Sequence, residues 1–297
     1  MVVKYEFFKK IPALMVIISA VLWGSYGSFV TAITGLGMSQ NALVFIRMLI
    51  TSLGVLLMIL IGDRRQLRIH KKDIWLFIAN GICSIVFFSL CYTAAINETK
   101  IATAAALLYT APAIVMVLSA ILFGEKLSLK KSICIFMSIA GCALVSGLLS
   151  GSGSALTTRG LLLGLGAGLG YALYSIFSRL ILNRGYSVYT NIFYTFVVAS
   201  AVFFVLSVPD FRAQNISSTP VNAILLAILC GIFTGFGSYV LYTSGMKKME
   251  TSRAAQLATI EPVTAAILGT VLFGQQLSLS EFIGIALVVL AVVLMNK

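Results

Sequence analysis

Charge is scarce in this chain. Only 10% of its 297 residues are Asp, Glu, Lys or Arg, where a soluble domain carries about 25%. Acid is scarcer still, with 9 acidic residues against 21 basic ones. The only histidine, His70, lies in a basic loop, so no imidazole cluster is available for zinc. The five cysteines, Cys83, Cys91, Cys134, Cys142 and Cys230, lie in apolar runs and form no CxxC pair. They read as small buried hydrophobes rather than a disulfide frame or a metal site. No GxxxxGK[ST] loop occurs, so ATP does not drive the protein directly. No stretch is polar enough to form a soluble domain. The longest outer loop is about Val208 to Pro220. No metal or cofactor is expected.

What is present is apolar sequence: 60% of residues are hydrophobic and the mean hydropathy is +1.04. A bilayer core about 30 Å thick takes about 20 helical residues to cross. Ten runs qualify, at roughly 13–33, 42–61, 74–96, 102–123, 130–149, 159–181, 188–207, 221–244, 253–273 and 279–296. The first follows Lys4, Lys9 and Lys10. It is longer than the ~7–15-residue core of a secretory signal and holds Trp23, Tyr26 and Phe29, so it reads as a retained span. The net charge of +12 comes from basic residues in short loops. There they orient spans and meet anionic membrane lipid; nucleic acid is not an expected partner.

The chain repeats itself. At an offset of 150, Tyr92-Thr93 matches Tyr242-Thr243, Pro112 matches Pro262, and Phe123-Gly124 matches Phe273-Gly274. Leu127-Ser128-Leu129 likewise matches Leu277-Ser278-Leu279. A weaker repeat at offset 148 sets WGSYGSF at 23–29 against YALYSIF at 171–177, pairing Tyr26 with Tyr174. A repeat this long means two structural halves: 1–149, a Gly/Ser linker at 150–158, and 159–297. The turns inside the repeat exchange charge. FGEKLSLKK at 123–131 becomes FGQQLSLSE at 273–281, while Asn97-Glu98-Thr99-Lys100 becomes Lys247-Lys248-Met249-Glu250. With the N-terminus inside, 17 of the 21 basic residues fall on the cytoplasmic side; Arg47, Lys100, Arg159 and Arg212 do not. That bias predicts both termini in the cytoplasm. Five spans per half is an odd number, so the second half runs inverted. The expected fold is an all-α integral membrane protein of ten transmembrane helices in two inverted five-helix repeats, a common plan of secondary transporters.

These features together resemble the EamA-type, ten-helix branch of the drug/metabolite transporter superfamily. The resemblance rests on Trp23-Gly24-Ser25, on Arg47, on Pro112 followed by FGEKLSLKK, and on Glu261-Pro262 followed by FGQQLSL. It covers nearly the whole chain. Where the family often has a glutamate in both post-proline turns, this chain has Glu125 in one and Gln275 in the other. The resemblance implies export or exchange of small metabolites across the inner membrane. It also implies a central cavity lined mainly by spans one, three, four, six, eight and nine.

Candidate site residues follow from the cost of polarity in lipid. Glu261 lies about eight residues into span nine, and a charged group at such depth costs at least ~2.5 kcal/mol. It suits a substrate ammonium or a proton, or else it braces the helix break at Pro262, whose counterpart is Pro112. Arg47, five residues into span two, either snorkels to the outer interface or pairs with a carboxylate. Arg179 reads as an interfacial anchor, as do Tyr5 and Tyr186. Trp23, Tyr26, Tyr92, Tyr109, Tyr171, Tyr174, Tyr239 and Tyr242 fall on the expected cavity spans. Their rings would hold apolar groups and cations, or simply face lipid. Gly160, Gly164 and Gly168 in span six, and Gly231, Gly235 and Gly237 in span eight, read as close packing surfaces.

The function expected is a secondary transporter of small organic metabolites, amino acids or related amines foremost, working by alternating access with protons as a candidate coupling ion. Two alternatives remain. A membrane sensor or scaffold would usually carry a soluble output domain. A lipid-modifying enzyme needs clustered acids or histidines.

Overall fold

The computed structural model describes residues 2–99, 101–146, 157–213, 220–274 and 276–296. Among these every regular element is a helix. The first part of the chain contains α1 (Val2–Gly24), α2 (Tyr26–Gly35), α3 (Gln40–Ile61), α4 (Ile74–Ala79), α5 (Phe87–Glu98), α6 (Ile101–Leu108), α7 (Ala111–Phe123) and α8 (Leu129–Val145). The second contains α9 (Thr158–Asn183), α10 (Val188–Ala213), α11 (Val221–Cys230), α12 (Ser238–Met246), α13 (Thr251–Leu257), α14 (Ile260–Phe273) and α15 (Leu279–Asn296). Eight helical stretches are long and apolar enough to cross a bilayer, and Leu279–Met295 is a shorter apolar helix. Most of the 150–158 linker, Lys100 and Gln275 lie outside the described residues, as does the middle of the loop after α10.

Burial is arranged for lipid. Ile121, Val271 and Leu279 are more than 70% exposed, while Asn80, Asn191, Thr195 and Gln256 are fully buried. A bilayer solvates apolar side chains but leaves polar groups to find partners inside the protein. Asn80 Nδ2 donates to Thr195 Oγ1 at 2.9 Å and to Asn191 Oδ1 at 3.1 Å, and Ser84 Oγ donates to Asn80 Oδ1 at 2.9 Å. Four cysteines are buried; Cys83 is instead exposed, on the same apolar surface as Ile78 and Ile82.

Local irregularities recur at nearly the repeat offset. The long segments Lys71–Glu98 and Val221–Met246 each contain a π-helical turn, at Asn80–Val86 and Gly231–Gly237. A π-turn admits one extra residue and commonly marks a functional position. The helix before the repeated turn is broken in both halves, at Tyr109–Thr110 and at Ala258–Thr259. Pro112 and Pro262 fall in the first turns of α7 and α14, where a missing N–H costs little. Gly124 and Gly274 end those helices with φ of 66° and 65°, a conformation only glycine adopts freely.

Packing between the two parts is reciprocal. α3 lies on α10, α8 on α15, α5 on α9, and α12 on α1. The α8–α15 contact is backbone to backbone: a Cβ on Gly284 would sit 2.6 Å from the carbonyl oxygen of Gly141. On α9, a Cβ on Gly170 would sit 2.8 Å from the backbone nitrogen of Phe88. These bare surfaces bring α5 and α9 together along one wall of the molecule's centre.

Candidate functional site

At the junction of α1, α5, α9 and α12 lies a cavity of about 20 Å³, room for about one water. Aromatic rings nearly fill it. Trp23 stands 5.1 Å from Tyr239, 5.1 Å from Tyr242 and 6.1 Å from Tyr171, centroid to centroid. Tyr174 meets Tyr239 edge-on at 5.0 Å. Phe88 closes another side, 5.8 Å from Tyr171. Such tilted and edge-on contacts are favourable for aromatic pairs. The hydroxyls of Tyr242 and Tyr174 bond with Ser175 Oγ at 2.6 Å and Thr243 Oγ1 at 2.8 Å. The walls are therefore oriented by bonds as well as by packing.

Two charged side chains flank the rings. Glu261 Oε2 accepts a 3.0 Å hydrogen bond from the Tyr171 hydroxyl. Glu261 is the second residue of α14, just past the break at Ala258–Thr259. Arg47 lies with its guanidinium 4.4 Å from the Tyr26 ring and 6.0 Å from Tyr239. One terminal nitrogen donates to the Thr234 carbonyl at 2.9 Å, inside the second π-turn. Arg47 is only 9% exposed, so it does not snorkel to the interface. Its methylenes and head are captured between α2 and the π-turn, where cation–π contact and the bent backbone carbonyl replace water.

Of the buried donor atoms left without a hydrogen-bond partner among the described residues, two belong to this cluster: Trp23 Nε1 and Arg47 Nε. Both side chains lie against the Tyr239 ring. An unpaired buried N–H costs about 1–3 kcal/mol, so two beside one ring need an explanation. A single water in the cavity, or a ligand carrying an acceptor, would supply one.

The structure thus brings Trp23, Tyr171, Tyr174, Tyr239 and Tyr242 to one cavity. Tyr92 is one ring further out, stacked on Phe88 at 5.7 Å. Tyr26 lies beneath Arg47. Tyr109 packs elsewhere, with Cys142, Val263 and Val288. Ser84, Phe88 and Ser175 also line the cavity, and sequence reading missed them. The π-turn rotates Ser84 inward, and glycine at 170 admits Phe88; neither leaves a periodicity signal.

On the face that carries most basic loops, a second set of contacts ties the two parts together. Glu125 accepts from the backbone N–H of Thr251 at 2.6 Å, from that of Ser252 at 3.1 Å, and from Ser252 Oγ at 2.5 Å. It thereby caps α13. Burial pushes the Glu125 carboxyl up, but these hydrogen bonds outweigh it and hold the group below the usual glutamate value. Lys131 pairs with Glu250 at 2.6 Å. Arg179 is not the expected interfacial anchor. It donates to the carbonyls of Met246 (2.6 Å) and Met249 and to Thr251 Oγ1 (2.8 Å). The turn between α12 and α13 offers unpaired carbonyls that draw it inward. Tyr186 is likewise buried, bonded to Asp73 at 2.7 Å; of Tyr5 only the backbone is described. Among the described residues no three His, Cys, Asp or Glu side chains gather as metal ligands.

Known proteins agree with this architecture. The sequence profile of the EamA-like transporter family matches residues 10–147 and again 158–297. A protein of Archaeoglobus fulgidus named "Uncharacterized transporter" is 30% identical over 280 residues, covering 94% of each chain. The "Uncharacterized transporter YwfM" of Bacillus subtilis is 28% identical over 289 residues, covering 96% of this chain and 94% of its own. A crystal structure at 19% identity superposes with a TM-score of 0.80 over 95% of each chain, which speaks to the fold alone. With its profile matched twice across almost the whole length, this chain belongs to the EamA-like transporter family and is a multi-pass membrane transporter.

Proposed function

We propose that the protein moves small amino acids or closely related amines across the cytoplasmic membrane by alternating access, and that the ring-lined cavity is the substrate site. One observation carries the reading. Glu261, bonded to Tyr171, and the unpaired donors of Arg47 and Trp23 share one cluster of aromatic rings. A carboxylate suits an ammonium, two N–H donors suit a carboxylate, and rings suit an apolar body. A zwitterion carries all three. The cavity is too small for such a substrate in this conformation, so binding requires the rings to part.

Titration of Trp23 fluorescence tests the assignment, in a Trp75→Phe protein that leaves Trp23 as the sole tryptophan. An amino acid should give a saturable change. Its decarboxylated amine and its deaminated acid should each bind roughly tenfold or more weakly, since each forfeits one charge-assisted contact. Equal binding of all three would remove the two poles from the site.

The same reading takes the chain as ten membrane segments in two inverted halves with both termini in the cytoplasm. Reciprocal packing and the exchanged loop charge support it. In a cysteine-free background, cysteine at Ser152 should react with an impermeant maleimide on intact cells, and cysteine at Lys71 should not. The opposite pattern would overturn the inversion.

A further inference from the structure

The loop between α3 and α4 is pinned rather than slack. Thr190 Oγ1 donates to the Gln66 carbonyl at 2.8 Å, and Ser187 Oγ to Gln66 Oε1 at 2.5 Å. The Tyr194 hydroxyl donates to the Leu67 carbonyl at 2.6 Å. The backbone N–H of His70 donates to the Tyr186 oxygen at 3.0 Å. These bonds hold residues 66–70 against the start of α10 and frame a cavity of about 220 Å³. It is roomier than the central cavity of about 20 Å³. Arg65, Arg68, Gln66, Ser187, Thr190 and Asp63 face it.

Its charge is unbalanced. Asp63 is engaged with the backbone N–H of Arg65 at 2.9 Å. Asp73, on the same loop, is taken by Arg184 and Tyr186. The guanidinium groups of Arg65 and Arg68 have no partner among the described residues and are exposed. Arg64, Lys71 and Lys72 add to the same field. Two forked guanidinium donors match a phosphate.

Its level points to the source of that phosphate. Immediately after the loop, Ile74, Trp75 and Ile78 are 40%, 53% and 42% exposed, an apolar stripe on the outside of the bundle. The Arg184 guanidinium stands 6.0 Å from the Trp75 ring. A tryptophan beside an arginine at the end of an apolar stripe marks the headgroup level. We infer that this cavity binds the phosphate of an anionic phospholipid headgroup, with the acyl chains along Ile74, Trp75 and Ile78.

The test is lipid retention by the full-length protein in a neutral detergent, read by native mass spectrometry with phosphatidylglycerol, phosphatidylcholine and inorganic phosphate as probes. Phosphatidylglycerol should bind saturably, and phosphatidylcholine should not compete. An Arg65→Gln/Arg68→Gln double variant should bind it roughly thirtyfold more weakly, and Arg68→Gln alone roughly fivefold. Neither side chain has a partner to lose, so unfolding temperatures should match the wild type. Undiminished retention by both variants would overturn the inference, as would equal retention of phosphatidylcholine. Displacement of phosphatidylglycerol by an equal concentration of inorganic phosphate would overturn the lipid assignment in favour of a soluble phosphate.

Discussion

Glu261→Gln is expected to insert and fold normally, yet to bind amino acids roughly ten- to a hundredfold more weakly. Gln keeps an oxygen that accepts the bond from Tyr171, so the break before α14 and its packing should survive. What disappears is the negative charge that holds an ammonium, and a hydrogen bond to a charged group contributes about 1.5–3 kcal/mol. Exchange and gradient-driven flux should fall together. If Glu261 instead carries a coupling proton, gradient-driven flux collapses while exchange of substrate for substrate persists. Vesicle assays in both modes separate the two. Wild-type behaviour in both would leave Glu261 as a brace for the helix break and nothing more.

Glu125→Ala is expected to loosen the tie between α13 and the turn after α7. Glu125 caps α13 through the amides of Thr251 and Ser252, bridging residues far apart in sequence. Losing an N-cap costs about 0.5–2 kcal/mol, so amide exchange in 251–257 should accelerate roughly two- to thirtyfold, with α3 and α10 little changed. The charge matters in a definite pH window. The folded group titrates below its usual value, so its contribution is complete above the unfolded glutamate value of about 4.3. It is lost as pH falls through the lower folded value. The gap in unfolding temperature between wild type and Glu125→Gln should therefore hold from neutral pH to about 4.5 and close below it. A gap that opens on acidification instead would contradict this assignment. The repeat-related residue is Gln275, which lacks the charge. On the alternating-access reading, the Glu125 side is then the more firmly latched of the two.

Much of this was legible in the chain. The long apolar runs, the 150-residue offset and the glycines at 124 and 274 are local signals, and each has a local structural counterpart. Eight aromatics could be read as a group because polar-tipped rings are rare in apolar spans, yet only those at 23, 171, 174, 239 and 242 line the cavity, while Tyr26, Tyr92 and Tyr109 do not. What hydropathy could not tell is which way a residue faces. In lipid the outside of a helix is as apolar as its inside, so no amphipathic stripe marks the core. Arg47 looked as ready to snorkel outward as to turn inward; the carbonyl of Thr234, 187 residues away, decides it. Arg179 and Glu125 are placed by helix ends that lie 67 to 127 residues from them. The inward turn of Ser84 depends on a π-turn, which has no sequence pattern of its own.

The most direct test of the central claim is counterflow in proteoliposomes: entry of labelled amino acid driven only by excess unlabelled amino acid inside. A protein that alternates around the ring-lined cavity should show transient accumulation above equilibrium, abolished in Glu261→Gln vesicles that hold equal amounts of folded protein. Entry no faster than into protein-free vesicles, or accumulation undiminished by the Glu261 change, would contradict the account.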